Sequence, residues 1–158
     1  MNRKRIYWGA TFLLVLILII PVTSWGQSEV KRNSIYVTAG GHNEGAASGL
    51  TYEYSLLNKR NAQLLGRVNI GIFTYTREHN SDREFTPFVF VSPVLLVGAE
   101  KNFLEISLGV GHLDADNFLQ NGTTATASLG WRHIRNNMIL RTGLSVHEGL
   151  YGSIGIRF

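Results

Sequence analysis

Apolar and polar residues alternate along most of this chain, and the last nine residues, LYGSIGIRF, show the alternation most plainly. Apolar residues of this segment occupy one parity, and polar or small residues occupy the other: Leu150, Ile154, Ile156 and Phe158 against Tyr151, Ser153, Gly155 and Arg157. Successive side chains of a β-strand point to opposite faces of its sheet. The period of two therefore predicts a strand with one apolar face and one polar face.

The same period recurs in eight segments, which predicts an all-β chain. These segments are 34–41, 49–57, 63–76, 87–97, 103–113, 124–133, 138–147 and 150–158. Pro93 lies inside the fourth segment and predicts a β-bulge or a bend there, because proline cannot donate a backbone hydrogen bond.

The links between these segments alternate between short and long. Three short polar links, 58–61, 99–102 and 134–137, are predicted to be hairpin turns. Three longer links lie between them, at 42–48, 77–86 and 114–123, and the short HEG at 147–149 is an exception to the alternation. Tight turns at one end and longer loops at the other are typical of an up-and-down barrel in a bacterial outer membrane.

The polar parity carries small residues and one or two charges per strand, which is sparse for a sheet that faces water. An arginine on the lipid face would cost about 2–4 kcal/mol at mid-membrane. We therefore predict a charge network inside the lumen, formed by Glu53, Arg67, Glu105, Arg132, Arg141 and Arg157. The alternative interpretation is that these are ordinary solvated charges on the surface of a soluble barrel.

Aromatic residues near several strand ends predict an interfacial girdle of the kind that flanks the apolar band of membrane barrels. They are Tyr52, Tyr54, Tyr75, Phe88, Phe103, Trp131 and Phe158. The core of a soluble barrel would be an equally suitable place for these side chains.

Residues 1–26 have the three parts of a secretory signal peptide: a basic start, an apolar run and a small-residue cleavage site at Ser24-Trp25-Gly26. Cleavage after Gly26 would remove three of the 15 Lys and Arg residues, leaving 12 against 11 acidic residues, so the net charge would fall from +4 to about +1. The basic composition therefore gives no reason to expect a nucleic-acid partner. The chain has no cysteine, which excludes disulfides, thiolate metal sites and a lipoprotein anchor.

Together these patterns predict a signal peptide over 1–26 and, over 27–158, one eight-stranded antiparallel up-and-down transmembrane β-barrel. We expect the protein in the bacterial outer membrane with both termini in the periplasm. The lumen of so small a barrel is filled by its own side chains, so we expect no wide pore.

The C-terminal segment SIGIRF resembles the assembly signal of bacterial outer-membrane barrel proteins, with Ile154, Ile156 and Phe158 on the lipid parity. The resemblance implies that the barrel-assembly machinery captures this strand and is a partner of the chain.

Residues 93–158 as a whole resemble small Bacteroidota-type outer-membrane barrel proteins of the OmpX and OmpA eight-stranded architecture. In that family an EIGxG strand, a GYRY strand, an FRxG strand and a closing GxSxGYxF recur, and the corresponding segments here are EISLG, GWRH, LRTG and GSIGIRF. Tryptophan and histidine replace the two tyrosines of the second motif. These motifs imply fold and location, and they carry no catalytic signature.

Two constellations offer candidate chemistry. Ser145, His147 and Glu148 lie in the segment LSVHEG, and outer-membrane lipid A deacylases place serine, histidine and an acid near the outer barrel rim. In those deacylases the histidine precedes the serine along the chain, whereas here the serine comes first. The favoured interpretation is therefore a polar pair at the rim of the barrel. The second constellation could hold a divalent cation at the outer end, but it lacks a tight ligand spacing: His42, Glu44, His79, Asp114, Asp116, His147 and Glu148.

The sequence therefore favours a non-enzymatic barrel with a structural or surface-interaction role, in contact with outer-membrane lipid and lipopolysaccharide. It predicts no cofactor, no metal site and no nucleic-acid partner, and it leaves the oligomeric state open. A soluble periplasmic lipocalin-like ligand-binding barrel is the first alternative, because alternation alone cannot distinguish a membrane barrel from a soluble one. A lipid A-modifying hydrolase is the second.

Overall fold

Eight strands follow one another along the chain, and each contains one of the segments of alternating polarity or most of it. Their bounds are β1 Asn33–His42, β2 Gly45–Lys59, β3 Ala62–Thr76, β4 Arg83–Ala99, β5 Asn102–Leu113, β6 Gly122–Arg135, β7 Met138–Ser145 and β8 Gly149–Arg157. The computed structural model describes residues 32–42, 45–76, 83–113 and 122–158. The predicted signal peptide, 1–26, lies outside the described residues and stays a prediction.

Each strand pairs antiparallel with its neighbours in sequence, and β1 also pairs with β8, so the sheet is a closed barrel. The prediction of an eight-stranded antiparallel up-and-down barrel is thereby confirmed. Closure leaves no unpaired strand at the edge of the sheet, which a membrane-spanning sheet requires. The part of the chain that the structure describes contains no helix long and apolar enough to cross a membrane.

The two ends of the barrel differ in their connections. The terminal end holds Asn33 and Phe158 together with three two-residue turns at 60–61, 100–101 and 136–137. The loop end carries the links 43–44, 77–82, 114–121 and 146–148.

The prediction of a long link over 42–48 is wrong. His42 pairs with Gly45, and Ala47 pairs with both Gly40 of β1 and Phe73 of β3. Backbone partners on both sides extend β2 into this segment, since ladder hydrogen bonds require no particular side chain.

Of the two outcomes predicted at Pro93, a β-bulge or a bend, the register excludes the bulge. Pro93 pairs with Gly66 on the β3 side without a change of register. On the β5 side the ladder passes from Val91↔Val110 to Val94↔Ser107, so the register is the same before and after the proline. The missing N–H removes local pairing but does not require an extra residue. Register does shift between Ser55 and Leu57 of β2, which places Leu56 in a bulge.

The exterior of the barrel is apolar along its whole circumference. On β8 the outward residues Leu150, Ile154 and Ile156 are more than half exposed, at 65%, 55% and 53%, and Phe158, directly after the strand, is 53% exposed. Between them Tyr151 and Ser153 point inward and are buried. The apolar parity therefore faces out and the polar parity faces in.

Glycines on the inward parity create room for aromatic rings within the narrow lumen. A Cβ atom on Gly130 would lie 2.5 Å from the Tyr151 hydroxyl oxygen, and one on Gly143 would lie 2.8 Å from the same atom. Both positions pair with each other across β6 and β7. The phenol of Tyr151 therefore lies directly over two glycines, which have no side chain that would displace it.

Apolar clusters occupy both ends of the lumen. One near the terminal end consists of Leu65, Val94, Leu96 and Phe103, with Ile134 packed against it, and one near the loop end consists of Ala47, Phe73, Phe88, Phe90 and Leu113. Along β3 and β5 the charged residues lie between members of these two clusters. The charges therefore occupy the middle of the lumen.

The predicted aromatic girdle needs correction at two positions. Phe88 and Phe103 are 5% exposed and belong to the two lumen clusters. Both share the inward parity of their strands, because their neighbours Pro87 and Leu104 point outward. Four others do lie on the outer surface, partly or largely exposed: Tyr52, Tyr54, Trp131 and Phe158. The side chain of Tyr75 lies outside the described residues.

Candidate functional site: the charged lumen and its closure at the loop end

Glu105 of β5 is the centre of the lumen network and is fully buried. Its carboxylate accepts hydrogen bonds from three arginines on three other strands. Arg132 donates from Nε at 2.8 Å, Arg141 donates from Nε at 2.9 Å, and Arg67 donates from Nη2. The Glu105 carboxylate can be buried because hydrogen bonds between charged groups are stronger than those between neutral groups.

Glu53 of β2 is the second buried carboxylate, at 1% exposure. It accepts a hydrogen bond from Arg67 Nε at 2.9 Å and two from Arg132, from Nη1 and Nη2, at 2.8 Å each. The Tyr36 hydroxyl donates a further one at 2.7 Å. Arg67 and Arg132 therefore bridge the two carboxylates. The five charged residues and Tyr36 join six strands, β1, β2, β3, β5, β6 and β7, through one network.

Strand register explains part of this arrangement. Glu53 and Arg67 are directly opposite each other on β2 and β3, which is a favourable cross-strand pair. Arg132 and Arg141 are also directly opposite, on β6 and β7, and like charges at such positions repel. The Glu105 carboxylate from the neighbouring strand bonds both guanidinium groups and compensates this repulsion.

Two tyrosines complete the packing around the arginines. The Arg141 guanidinium carbon lies 4.4 Å from the ring centroid of Tyr36 and 5.2 Å from that of Tyr151. Both separations are within the range of cation–π attraction. Among the described residues, every buried side-chain nitrogen and oxygen atom has a hydrogen-bond partner. Fully satisfied buried networks of this kind stiffen a structure.

Arg157, the sixth predicted member, lies nearer the terminal end and is half-buried. It pairs with Ser34 in register and lines, together with Arg132, a small enclosed cavity of about 10 Å³. That volume is about the size of one water molecule. The structure thus brings five of the six residues into one network and places the sixth beside it.

The segment LSVHEG closes the barrel at the loop end. His147 lies over the aromatic cluster, with its ring 4.8 Å from that of Phe90 and nearly parallel to it, at 18°. The His147 Nε2 atom donates to the carbonyl oxygen of Ala125 at 2.8 Å. Glu148 Oε1 accepts a hydrogen bond of 3.0 Å from Asn69 of β3. The short turn therefore folds onto the lumen contents.

Ser145, His147 and Glu148 do not have the arrangement that nucleophilic catalysis requires. The Ser145 hydroxyl oxygen accepts long bonds of 3.4 Å from the backbone N–H groups of His147 and Glu148. No contact among the described residues joins the imidazole to this hydroxyl. Serine activation needs the base within hydrogen-bond reach of the nucleophile, so the geometry describes a stabilised turn.

No group of three histidine or acidic residues within the described part of the chain could hold a metal ion. Of the candidate cation ligands, only His147 and Glu148 have described side chains, and each is hydrogen-bonded within the barrel. The others lie outside what the structure describes, namely Glu44, His79, Asp114, Asp116 and the side chain of His42.

Ile154, Ile156 and Phe158 of the assembly-signal resemblance all point outward and are about half exposed. The ladder extends to the last residue, since Asn33 and Phe158 exchange backbone hydrogen bonds of 3.0 Å and 2.9 Å. This geometry leaves the side chains of the last strand accessible from the exterior.

Several contributors to the lumen are missing from the sequence analysis. Tyr36 and Asn69 carry no formal charge, yet each binds a carboxylate through a single hydrogen bond. Phe73 and Phe90 form the loop-end cluster with Phe88. The alternation of inward and outward positions along each strand is the signal that would have placed them inside, had it been applied to aromatic residues as well.

No protein-family model matches the chain, and no curated protein matches it. Solved structures of the outer membrane protein Ail of Yersinia pestis do. Its backbone structure in a phospholipid bilayer nanodisc has a TM-score of 0.56 and 14% sequence identity, covering 81% of this chain and 99% of that chain. The crystal structure of Ail, the attachment invasion locus protein, with the heparin analogue sucrose octasulfate has a TM-score of 0.48 and 14% identity, covering 80% and 97%.

At this level of identity the likeness to Ail establishes the fold. It agrees with the closed eight-stranded topology described above. The resemblance of residues 93–158 to Bacteroidota-type proteins stays a prediction.

Proposed function

We propose that this chain is an integral protein of the bacterial outer membrane, exported by a signal peptide over 1–26, with a structural or surface-interaction role. The observation that carries the proposal is the distribution of polarity on single strands. Large apolar side chains are exposed on the outside of every strand, whereas five charged side chains are buried inside. A soluble barrel with water outside and a ligand inside would favour the opposite distribution, with charged side chains outside and apolar side chains inside.

The soluble lipocalin-like alternative is disfavoured for this reason. A ligand-binding barrel needs an apolar cavity and a polar exterior. Here the middle of the lumen is filled by an ionic network and both ends are filled by apolar clusters. On the exterior, Leu108, Val110 and Leu144 are each exposed by about 60% or more.

We further propose that the lumen conducts no solutes and that the protein has no enzymatic activity. A pore would require the ionic network that fills the middle of the lumen to open, with Glu53 and Glu105 losing arginine partners. The hydrolase alternative lacks support because the hydrogen bond from His147 Nε2 is made to Ala125. Interaction with other molecules would then fall to the loop end and the outer wall.

We infer that the termini lie in the periplasm and the loop end faces the outside of the cell. The three two-residue turns support this orientation, because periplasmic turns of outer-membrane barrels are short. The absence of cysteine allows a direct test by single-cysteine labelling.

The first experiment is electrophoresis of the outer-membrane fraction with and without boiling. A closed membrane barrel is expected to migrate faster before boiling than after it. The protein in the soluble periplasmic fraction, with unchanged mobility, would overturn the proposal.

The second experiment labels intact cells with a membrane-impermeant maleimide. Ser81→Cys, between β3 and β4, is expected to react, whereas Asn61→Cys in a terminal-end turn should react only after lysis. The reverse result would invert the orientation. Planar-bilayer recordings should show no discrete conductance steps, and the lipid A acylation pattern should be the same for wild type and Ser145→Ala.

A further inference from the structure

A shallow, open groove lies on the exterior wall of the barrel. It crosses β1, β6, β7 and β8 and has a volume of about 460 Å³. Small outward residues, Ala39, Thr142 and Gly152, form its floor, and the larger Trp131, Leu140 and Ile154 flank them. Arg141 and Ser153 contribute backbone, since their side chains point into the lumen.

The groove is apolar even where its residues carry polar atoms. The Thr142 hydroxyl donates a hydrogen bond of 3.1 Å to the carbonyl oxygen of Tyr151. A Cβ atom on Gly152 would have no neighbour closer than the Arg141 carbonyl oxygen at 4.0 Å. The floor is therefore open to a hydrocarbon, and its one side-chain hydroxyl already has an acceptor.

Polarity increases from the groove toward the terminal end along the outward face of β6. Trp131 is followed on the same parity by His133, whose ring stacks on the indole at 5.6 Å and 22°, and then by exposed Arg135. The His133 Nδ1 atom also forms a hydrogen bond of 2.9 Å with Asn102. At about 3.3 Å per strand residue, Arg135 begins about 13 Å from Trp131.

The described terminal end of the barrel is basic, and Lys101 of the β4–β5 turn adjoins β6, since its carbonyl oxygen accepts from the Ile134 N–H at 2.7 Å. Five exposed cations and one exposed acid, Glu100, lie at the described terminal end; the cations are Arg32, Lys59, Arg60, Lys101 and Arg135. A basic cluster at a membrane surface attracts anionic headgroups, by about fivefold in association constant for each cation close to the phosphate.

We propose that the groove binds one acyl chain of an anionic glycerophospholipid, whose phosphate lies against Arg135. Trp131 lies level with the groove floor, directly opposite Thr142, and His133 and Arg135 follow it toward the terminal end. The order groove with indole, then imidazole, then guanidinium matches the order acyl chain, glycerol backbone and phosphate. The inference rests on the proposed membrane insertion.

Trp131 provides the probe. The chain has three tryptophans, so the full-length protein with Trp8→Phe and Trp25→Phe retains Trp131 alone. It is reconstituted in phosphatidylcholine bilayers that contain brominated phosphatidylglycerol or, in parallel, brominated phosphatidylcholine at the same mole fraction. Bromine on an acyl chain in the groove quenches the indole by contact.

Brominated phosphatidylglycerol is expected to associate about fivefold more strongly than brominated phosphatidylcholine, and high salt should reduce the difference. Arg135→Ala should abolish the preference. Arg60→Ala is the matched control, because it removes an equally exposed cation from another turn, and it should preserve the preference. Equal quenching by both lipids in the parent protein would overturn phosphate recognition at Arg135.

Gly152→Leu fills the groove and should reduce quenching by both lipids. Gly66→Leu is the matched control on β3, where a Cβ atom would meet only Leu56 at 3.7 Å. Ala39→Leu fills the same groove from β1. It replaces Gly152→Leu in the experiment if that variant gives no heat-shifted band and therefore does not form a closed barrel. Quenching unchanged by either groove variant would overturn acyl binding there.

A second copy of the chain is the competing occupant. It would shield Trp131 from both brominated lipids, and dilution of the protein with excess lipid would then increase quenching, which would overturn the proposal. A barrel that does not insert shows no heat shift and no quenching by either lipid, so failure of the proposed function is distinguishable from failure of this site.

Discussion

Two adjacent residues of β6 show how differently the two faces of this barrel are built. Trp131 points outward and is 46% exposed, whereas Arg132 points inward and is 1% exposed. The usual rule, apolar inside and charged outside, is inverted on one strand within a single peptide step. Lipid outside makes the inversion favourable only if every inward charge has a partner, and the Glu53 and Glu105 carboxylates provide those partners.

The lumen and the outer wall therefore respond to substitution by different rules. In the lumen an uncompensated charge or a change of volume should be costly. On the wall, additional hydrocarbon should be accepted and charge should be rejected.

The largest effect is expected from Glu105→Gln in the lumen. The substitution leaves three buried arginines with one carboxylate, and loss of one partner from a buried ionic group costs about 3–5 kcal/mol. Urea unfolding in detergent micelles, followed by the heat-shifted band, measures the loss. Glu100→Gln in the exposed β4–β5 turn is the control and should cost less than about 0.5 kcal/mol. Equal stability of the two variants would refute a stabilising role for the network.

The next effect concerns the wall. Ile154→Arg places a charge on the lipid face of β8 and is expected to cost about 2–4 kcal/mol, enough to block assembly. The amount of heat-shifted protein in the outer-membrane fraction measures it. Arg157→Lys, three residues further on the same strand, keeps the charge on the inward parity and should be mild. Comparable losses from both would contradict the assignment of faces.

A pair of glycines provides a finer comparison. Gly130→Ala should cost about 1–3 kcal/mol by overpacking, because its Cβ atom would lie 2.5 Å from the Tyr151 hydroxyl and 2.7 Å from the Thr142 carbonyl oxygen. Gly152→Ala on the wall meets nothing closer than 4.0 Å and should be close to neutral. Chemical denaturation of both variants tests the difference, and an equal cost would mean that the lumen repacks freely.

The smallest effect is expected in a turn that belongs to neither face. Glu100 has a φ of 57°, a left-handed conformation that asparagine adopts more readily than glutamate. Glu100→Asn should stabilise the barrel by about 1 kcal/mol. The reciprocal change Asn136→Glu, at a φ of 55° in the β6–β7 turn, should destabilise it by a similar amount. If unfolding experiments showed that Glu100→Asn destabilises the barrel, or that Asn136→Glu stabilises it, side-chain contacts and not the backbone conformation would determine the stability of these turns.

Much of the fold was predictable because a barrel of this kind has only two kinds of side-chain environment. The period of two identified all eight strands, and the sparse charges identified the inward parity of residues such as Arg67 and Arg141. Errors arose where parity was set aside for composition. Phe88 and Phe103 were assigned to a girdle because they are aromatic. A separate error assigned 42–48 to a long link, although residues 45–48 pair with strands on both sides.

The partners within the lumen could not be predicted from the sequence. Glu105 and Arg67 are 38 residues apart, and Arg132 and Glu53 are 79 apart. Which carboxylate meets which guanidinium depends on strand stagger and on the direction of each side chain across the lumen. The same is true of His147, whose position over Phe90 depends on how the β7–β8 turn folds inward.

The sequence by itself determined the strands, their order and the face that each side chain prefers, because alternation is a local property of a pleated backbone. The tertiary structure alone decided that Glu105 binds three arginines, that Tyr151 lies over Gly130 and Gly143, and that small residues of three strands align into one exterior groove. Each of these depends on distances across the closed barrel, and closure fixes a stagger between strands that no single strand encodes.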